Sequence, residues 1–287
     1  MPARGGEFEP MITAVGEILV DRLVKGAQSV CHVGGAPFNV AVNASHLGGD
    51  VSFAGSIGKD EEGEFLKNFA SSFGFNTLLL KEDMNRKTTK AIVELKDGER
   101  SFRFERDNTA DAYLPDIDDS LLSRSNIIHI GSLPLSIKKG KEHILSLIDK
   151  AHKMNKKVSF DVNFRSDVYS SIEEAIEISK RICLLSDIVK LSEDEISLLG
   201  EGFIKEELKD KMVFITLGKK GSMCSYKGKD TFARSEPIKP VDTTGAGDAF
   251  MGAVLYKLDK EKEPNMEEVL SFANKVAKEC CLHLGAI

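Results

Sequence analysis

Ile127-Ile128-His129-Ile130, the amphipathic run from Ile137 to Ala151, and Val158-Ser159-Phe160 together decide the fold. The first and last are short apolar runs with the length of buried strands. Between them Ile137, Ile144, Ile148 and Ala151 share one face of a helix, while Lys138, Lys141, Glu142 and Lys150 fall largely elsewhere. Strand, helix, strand is the repeating unit of a parallel sheet. Further out, Ile12–Val15, Val51–Ala54, Ile188–Leu191 and Val213–Thr216 continue the alternation. Ser171 followed by Glu174 predicts a capping box that opens a helix running to about Cys183. The expected fold is α/β, a central mostly parallel sheet with helices on both faces.

Two segments depart from this rhythm. Ala91–Leu95 and Ser101–Glu105 flank Asp97-Gly98, a hairpin signal, and Glu17–Val24 and Ser29–Val33 supply further short strands. A small antiparallel flap on the parallel sheet is the economical reading. Without a linker or repeat, residues 11–287 are expected to form one domain. Residues 1–10 have no apolar periodicity and read as a disordered or non-native tail.

Charge narrows the function. Lys and Arg number 39 against 45 Asp and Glu, a net −6 that argues against a general nucleic-acid or anionic-membrane binder. The stretch Gly26–Gly49 carries no charge, but Gln28, His32, Asn39, Asn43 and His46 within it exclude a membrane helix. Cys31, Cys183, Cys224, Cys280 and Cys281 lack C-x-x-C spacing, and the histidines lack metal spacing. A reducing compartment, and with no signal peptide the cytoplasm, is expected.

In open parallel sheets ligands bind beyond the C-terminal ends of the strands, so the loops there carry the chemistry. The sharpest is Asp242-Thr243-Thr244-Gly245-Ala246-Gly247-Asp248-Ala249-Phe250, a glycine-rich turn entering an apolar helical pattern. Small residues there let main-chain N–H groups face an anion, which the helix dipole also favours. Asp248 sits in the first turn beside that nest. Spacing leaves two readings open: a helix cap, or a general base taking a proton from an attacking hydroxyl. G-x-G-x-x-G fails because Phe250 stands where a third glycine belongs. Walker A fails because no Gly-Lys pair precedes Ser or Thr.

Near the other end lies Gly34-Gly35-Ala36-Pro37-Phe38-Asn39-Val40-Ala41-Val42-Asn43. Asn39 and Asn43 share a helix face, where an amide could hydrogen-bond a polyol; tight helix–sheet packing is the competing reading. Arg165 could pair with a surface acid, Arg103 and Arg106 could face solvent or a sugar, and Glu61, Glu62 and Glu64 read as a solvated helix face.

The 34–41 stretch resembles the first signature of the ribokinase/PfkB carbohydrate kinases, and 242–250 resembles the second, in the right order and separation. His129–Ser132, Asp161–Arg165, Lys190–Glu195 and Thr216–Gly221 agree with intermediate landmarks. Gly16–Asp21 and Asp161–Arg165 bring the chain nearest the fructokinase branch. The resemblance implies a ribokinase-like fold whose flap, about 17–33 and 88–106, is a β lid often used for dimerisation. It implies an ATP- and magnesium-dependent kinase acting on a primary hydroxyl of a small sugar, with D-fructose the expected acceptor. Asp248 would be the base, and the main chain of Gly245, Ala246 and Gly247 the anion hole. Asp21, Gly34, Gly35, Asn39, Arg106, Asn163 and Arg165 would serve the sugar. Lys190, Thr216, Gly218, Gly221 and Asn274 would serve the nucleotide. Glu195 would reach magnesium through water, with Ser192 standing where much of the family has asparagine. Asp242 and Thr244 match part of a potassium site. The same fold acting on 2-keto-3-deoxygluconate, ribose or a nucleoside, or an inactive sugar-binding protein, are the alternatives.

Overall fold

The computed structural model describes residues 11–25, 28–96 and 99–287. The tail at residues 1–10 and the Asp97-Gly98 turn lie outside the described residues. The chain opens with β1 (Ile12–Val15), β2 (Leu19–Lys25), β3 (Gln28–Gly34), α1 (Ala36–His46), β4 (Val51–Gly58), α2 (Glu61–Ser71) and β5 (Thr77–Asp83). It continues through β6 (Lys90–Lys96), β7 (Glu99–Glu105), α3 (Asp119–Arg124), β8 (Ile127–Ile130), α4 (Lys138–Lys153), β9 (Lys157–Asp161) and α5 (Ile172–Leu185). It ends with β10 (Ile188–Ser192), α6 (Glu193–Leu199), β11 (Met212–Thr216), β12 (Gly221–Tyr226), β13 (Lys229–Arg234), α7 (Ala246–Lys260) and α8 (Met266–Cys280).

Seven parallel strands stand in the order β11-β10-β9-β8-β1-β4-β5, and β12 and β13 extend the β11 edge antiparallel. Alternating strand residues feed two cores, because successive side chains point to opposite faces. From β1, Ile12 and Ala14 join one core while Val15 joins the other; from β11, Phe214 and Ile215 divide likewise. Phe38 (α1), Leu66 (α2), Phe250 (α7) and Val269 (α8) cover the first core. Leu122 (α3), Ile144 (α4), Ile178 (α5) and Leu199 (α6) cover the second. The expected layering is present.

A second sheet of four strands, β3-β2-β6-β7, is the expected flap. Each hairpin is antiparallel, and β2 and β6 join them as a parallel pair. Its own core is small, centred on Leu19, Ala91 and Leu133. Glu62 on α2 is not simply solvated: its carboxylate accepts from Arg22 at 3.2 Å and Lys90 at 3.1 Å, tying the flap to the main body. Ser171 accepts from the Glu174 amide, but the Glu174 carboxylate turns to Ser170, so the box there is half formed. The complete capping box is at Ser192 and Glu195, opening α6. No helix among the described residues is long and apolar enough to cross a membrane.

Candidate active site

A cavity of about 580 Å³ lies between the C-terminal ends of the parallel strands, the head of α7 and the flap. The head of α7 is shaped by its glycine. Gly245 is the N-cap at φ 76°, and a Cβ there would stand 2.3 Å from the Ala286 Cβ. Both the left-handed backbone and the close approach of the C-terminal segment require glycine. Gly245 and Gly247 line the cavity. The Ala246 N–H instead points to the Thr243 carbonyl at 3.3 Å.

Asp248, one turn in, also lines the cavity and accepts from the Asn39 side-chain amide at 2.8 Å. α1 brings Asn39 there because it packs closely on α7 at Gly252, where a Cβ would be 2.9 Å from both the Val40 carbonyl and the Asn43 Cβ. Burial pushes the Asp248 carboxyl up, while the Asn39 hydrogen bond and the charges of Lys190 and Arg165 pull it down. Asn43 is not at the cavity; its amide caps the Asn39 carbonyl at 2.8 Å. The Oδ1 of Asn39 is buried without a partner among the described residues.

Beneath the helix head, Lys190 on β10 places its ammonium 3.0 and 2.9 Å from the two Asp161 oxygens on β9. A Cβ on Gly247 would lie 2.9 Å from that Nζ, so a buried cation stands against the glycine turn. Burial works against its charge, but Asp161, Glu195 and Asp248 outweigh it and hold Lys190 protonated.

The flap side carries Asp21, whose carboxylate fills the space beside Gly34, where a Cβ would be 2.1 Å from Oδ2. Burial and the Asp248 charge raise Asp21 to about 6, against the opposing pull of Arg165. Gly35 caps α1 and lines the cavity. Asn163, in the left-handed region at φ 36°, and exposed Arg165 reach the cavity from the turn after β9. That turn is held by Glu195, whose oxygens accept the Phe164 and Ser192 amides at 2.7 Å each. Glu195 is therefore the fastening of the turn that presents Asn163 and Arg165, and Ser192 is the cap that makes this geometry.

Other predicted residues stand apart from this cavity's lining. Arg106 is engaged behind it, donating to Asp111, Ser136 and the Leu133 carbonyl. Thr216, Gly218 and Gly221 sit at the end of β11 and the start of β12. Asn274 is buried on α8, donating to the Ala233 carbonyl at 3.0 Å. Asp242 and Thr244, by contrast, do line the cavity: Asp242 accepts the Thr244 amide and hydroxyl through one oxygen and the Gly285 amide through the other, closing the C-terminal segment onto the loop. Sequence reasoning passed over Glu17, which lines the cavity, and Asp161 as the partner of Lys190. An acid right after Gly16 at the end of a parallel strand is the signal that marks the former.

A glycine turn at a helix N-terminus, a carboxylate bonded by an amide, and a buried cation at one end of a cavity are parts suited to phosphoryl transfer. The model of the pfkB family carbohydrate kinases matches residues 10–287, and the chain belongs to that family. It is 35% identical to probable fructokinase-5 of Arabidopsis thaliana, over 97% of this chain and 93% of that one. The fructokinase of Xylella fastidiosa with bound ATP has TM-score 0.91 and 27% identity, covering 97% and 94% of the two chains. A double mutant of the Vibrio cholerae O395 fructokinase, in fructose-, ADP- and potassium-bound form, has TM-score 0.84 and 27% identity, covering 99% and 95%.

Proposed function

We propose that this carbohydrate kinase is a fructokinase, transferring the γ-phosphoryl group of ATP to a primary hydroxyl of D-fructose. The observation that carries the reading is Asp248, oriented by Asn39 at the head of α7, in one cavity with Asp21, Asn163 and Arg165. Asp248 takes the proton as the sugar oxygen bonds to the γ-phosphorus, while the bond from that phosphorus to the β,γ-bridging oxygen breaks and ADP leaves. The Gly245 and Gly247 amides and the Lys190 ammonium receive the charge that develops. Thr216, Gly218, Gly221 and Asn274 would hold the nucleotide beside β11 and α8.

Among the described residues no cluster of three or more His, Cys, Asp or Glu side chains is arranged for a metal. Magnesium would be held chiefly by nucleotide phosphates and water, with Glu195 the candidate contact through water. When bound, magnesium neutralises the β and γ oxygens. Asp242 and Thr244 would contribute to a potassium site, a reading supported by the potassium in the Vibrio cholerae complex.

An uncharged acceptor is favoured over 2-keto-3-deoxygluconate. The Arg106 guanidinium is engaged by Asp111, and the sugar side presents the carboxyls of Glu17 and Asp21. Two copies would pair through the flap, whose edge strand β3 leaves Val30 53% exposed. Five free cysteines suit the reducing cytoplasm.

The test is ADP release with ATP and Mg²⁺ over a panel of fructose, ribose, 2-keto-3-deoxygluconate and nucleosides, with and without K⁺. Fructose should have the highest kcat/KM, and K⁺ should raise the rate. A higher kcat/KM for another acceptor would replace fructose, and ligand-dependent thermal stabilisation without ADP release would make the chain a binding protein.

A further inference from the structure

Glu17 follows β1 at the C-terminal edge of the sheet and is only 3% exposed. Its Oε2 has no hydrogen-bond partner among the described residues, yet the side chain lines the cavity. Glycine at 131 makes room for it, since a Cβ there would lie 2.3 Å from that oxygen. The nearby cation does not satisfy it: Arg106 donates to Asp111, Ser136 and the Leu133 carbonyl instead. Elsewhere on this wall Leu19, Ala91 and Phe104 are apolar. Buried polar atoms in folded proteins almost always find partners, and a buried oxygen without one, on a side chain beside a cavity, is completed when that side chain turns to an entering ligand.

We infer that Glu17 is a specificity-determining residue, its Oε2 bonding a hydroxyl of the acceptor sugar other than the one phosphorylated. This rests on the sugar-kinase reading above and names a contact that reading does not contain. Asp111, Asp248, the Tyr169 hydroxyl and Arg106 face the group, and burial foremost raises its carboxyl to about 7. At neutral pH it can therefore donate as well as accept, which suits a hydroxyl.

The experiment measures wild type, Glu17→Ala and Glu17→Gln with fructose and its monodeoxy analogues, following ADP release. Glu17→Ala should lower kcat/KM for fructose at least about tenfold, with KM for ATP changed less than about twofold. Wild type should discriminate against one deoxy analogue, and in Glu17→Ala that discrimination should vanish while the others persist. Glu17→Gln, which keeps a donor and an acceptor, should recover part of the loss and melt no lower than wild type at pH 8. An unchanged fructose kcat/KM, equal effects on fructose and ATP, or an intact deoxy pattern in Glu17→Ala would overturn the assignment. If Glu17→Ala does not fold, Glu17→Gln carries the test: an unchanged deoxy pattern together with a lowered melting temperature would mark a structural residue. Absence of any fructose turnover in wild type would instead overturn the fructokinase reading, and this contact with it.

Discussion

At one end of the cavity stands the head of α7, a helix buried through Phe250, Met251, Val254 and Leu255, over the buried Lys190–Asp161 pair. At the other end the flap rests on a core of Leu19, Ala91 and Leu133 and is tied down by Glu62 through Arg22 and Lys90. The first wall cannot shift without disturbing the main core; the second can move by releasing partly exposed ion pairs. On the proposed function, catalytic geometry would rest on close packing, and acceptor recognition would be shared between Glu17, Asn163 and Arg165 on the main body and Asp21 on the thinly packed flap.

Substitutions at the two ends should separate accordingly. Asp248→Asn should lower kcat by about 10²–10⁴-fold with ATP affinity largely kept, the contribution usual for a general base; steady-state kinetics and nucleotide titration check it. Lys190→Met leaves Asp161 buried and unpaired and should destabilise the protein by ~3–5 kcal/mol, with Lys190→Met/Asp161→Asn recovering most of it in urea denaturation. On the recognition side, Arg165→Ala should raise KM for fructose about tenfold and KM for ATP much less; equal effects would remove it from the sugar.

Glu17→Gln gives a smaller, pH-dependent effect. Folding raises the Glu17 carboxyl from 4.5 to about 7, so the folded state keeps a proton that the unfolded chain loses. Its contribution is present below about pH 4.5 and is lost as pH rises through about 7. Glutamine has no such loss. The variant should match wild type at pH 4.5 and be more stable at pH 8, on the order of 1–3 kcal/mol by thermal denaturation. The smallest effect falls on the tether: Glu62→Gln should cost less than ~1 kcal/mol of stability while raising KM for fructose. A large loss of stability there would erase the contrast between the walls.

Much of the architecture was legible because buried parallel strands are short apolar runs and α4 keeps one clean apolar face. β12 and β13 went unpredicted, since Gly221–Tyr226 and Lys229–Arg234 carry neither a long apolar run nor a regular alternation of polar and apolar residues. The glycine turn and Asp248 were readable because the signal is local. Pairing across the fold was not. Nothing in spacing joins Lys190 to Asp161, or directs Arg106 to Asp111 rather than to a sugar. Asn43 shares Asn39's helix face, yet lies one turn farther along and faces the Asn39 carbonyl instead of the cavity. Glu195 was expected near magnesium; its hold on the Phe164 amide was not legible, because it depends on the turn after β9 folding back over α6.

The most direct measurement is a crystal structure with fructose and a non-hydrolysable ATP analogue. The account predicts the Asp248 carboxylate within about 3 Å of the primary hydroxyl that faces the γ-phosphate, with the Gly245 and Gly247 amides directed at that phosphate. A sugar seated elsewhere, with Asp248 bonded to Asn39 and remote from both ligands, would contradict it.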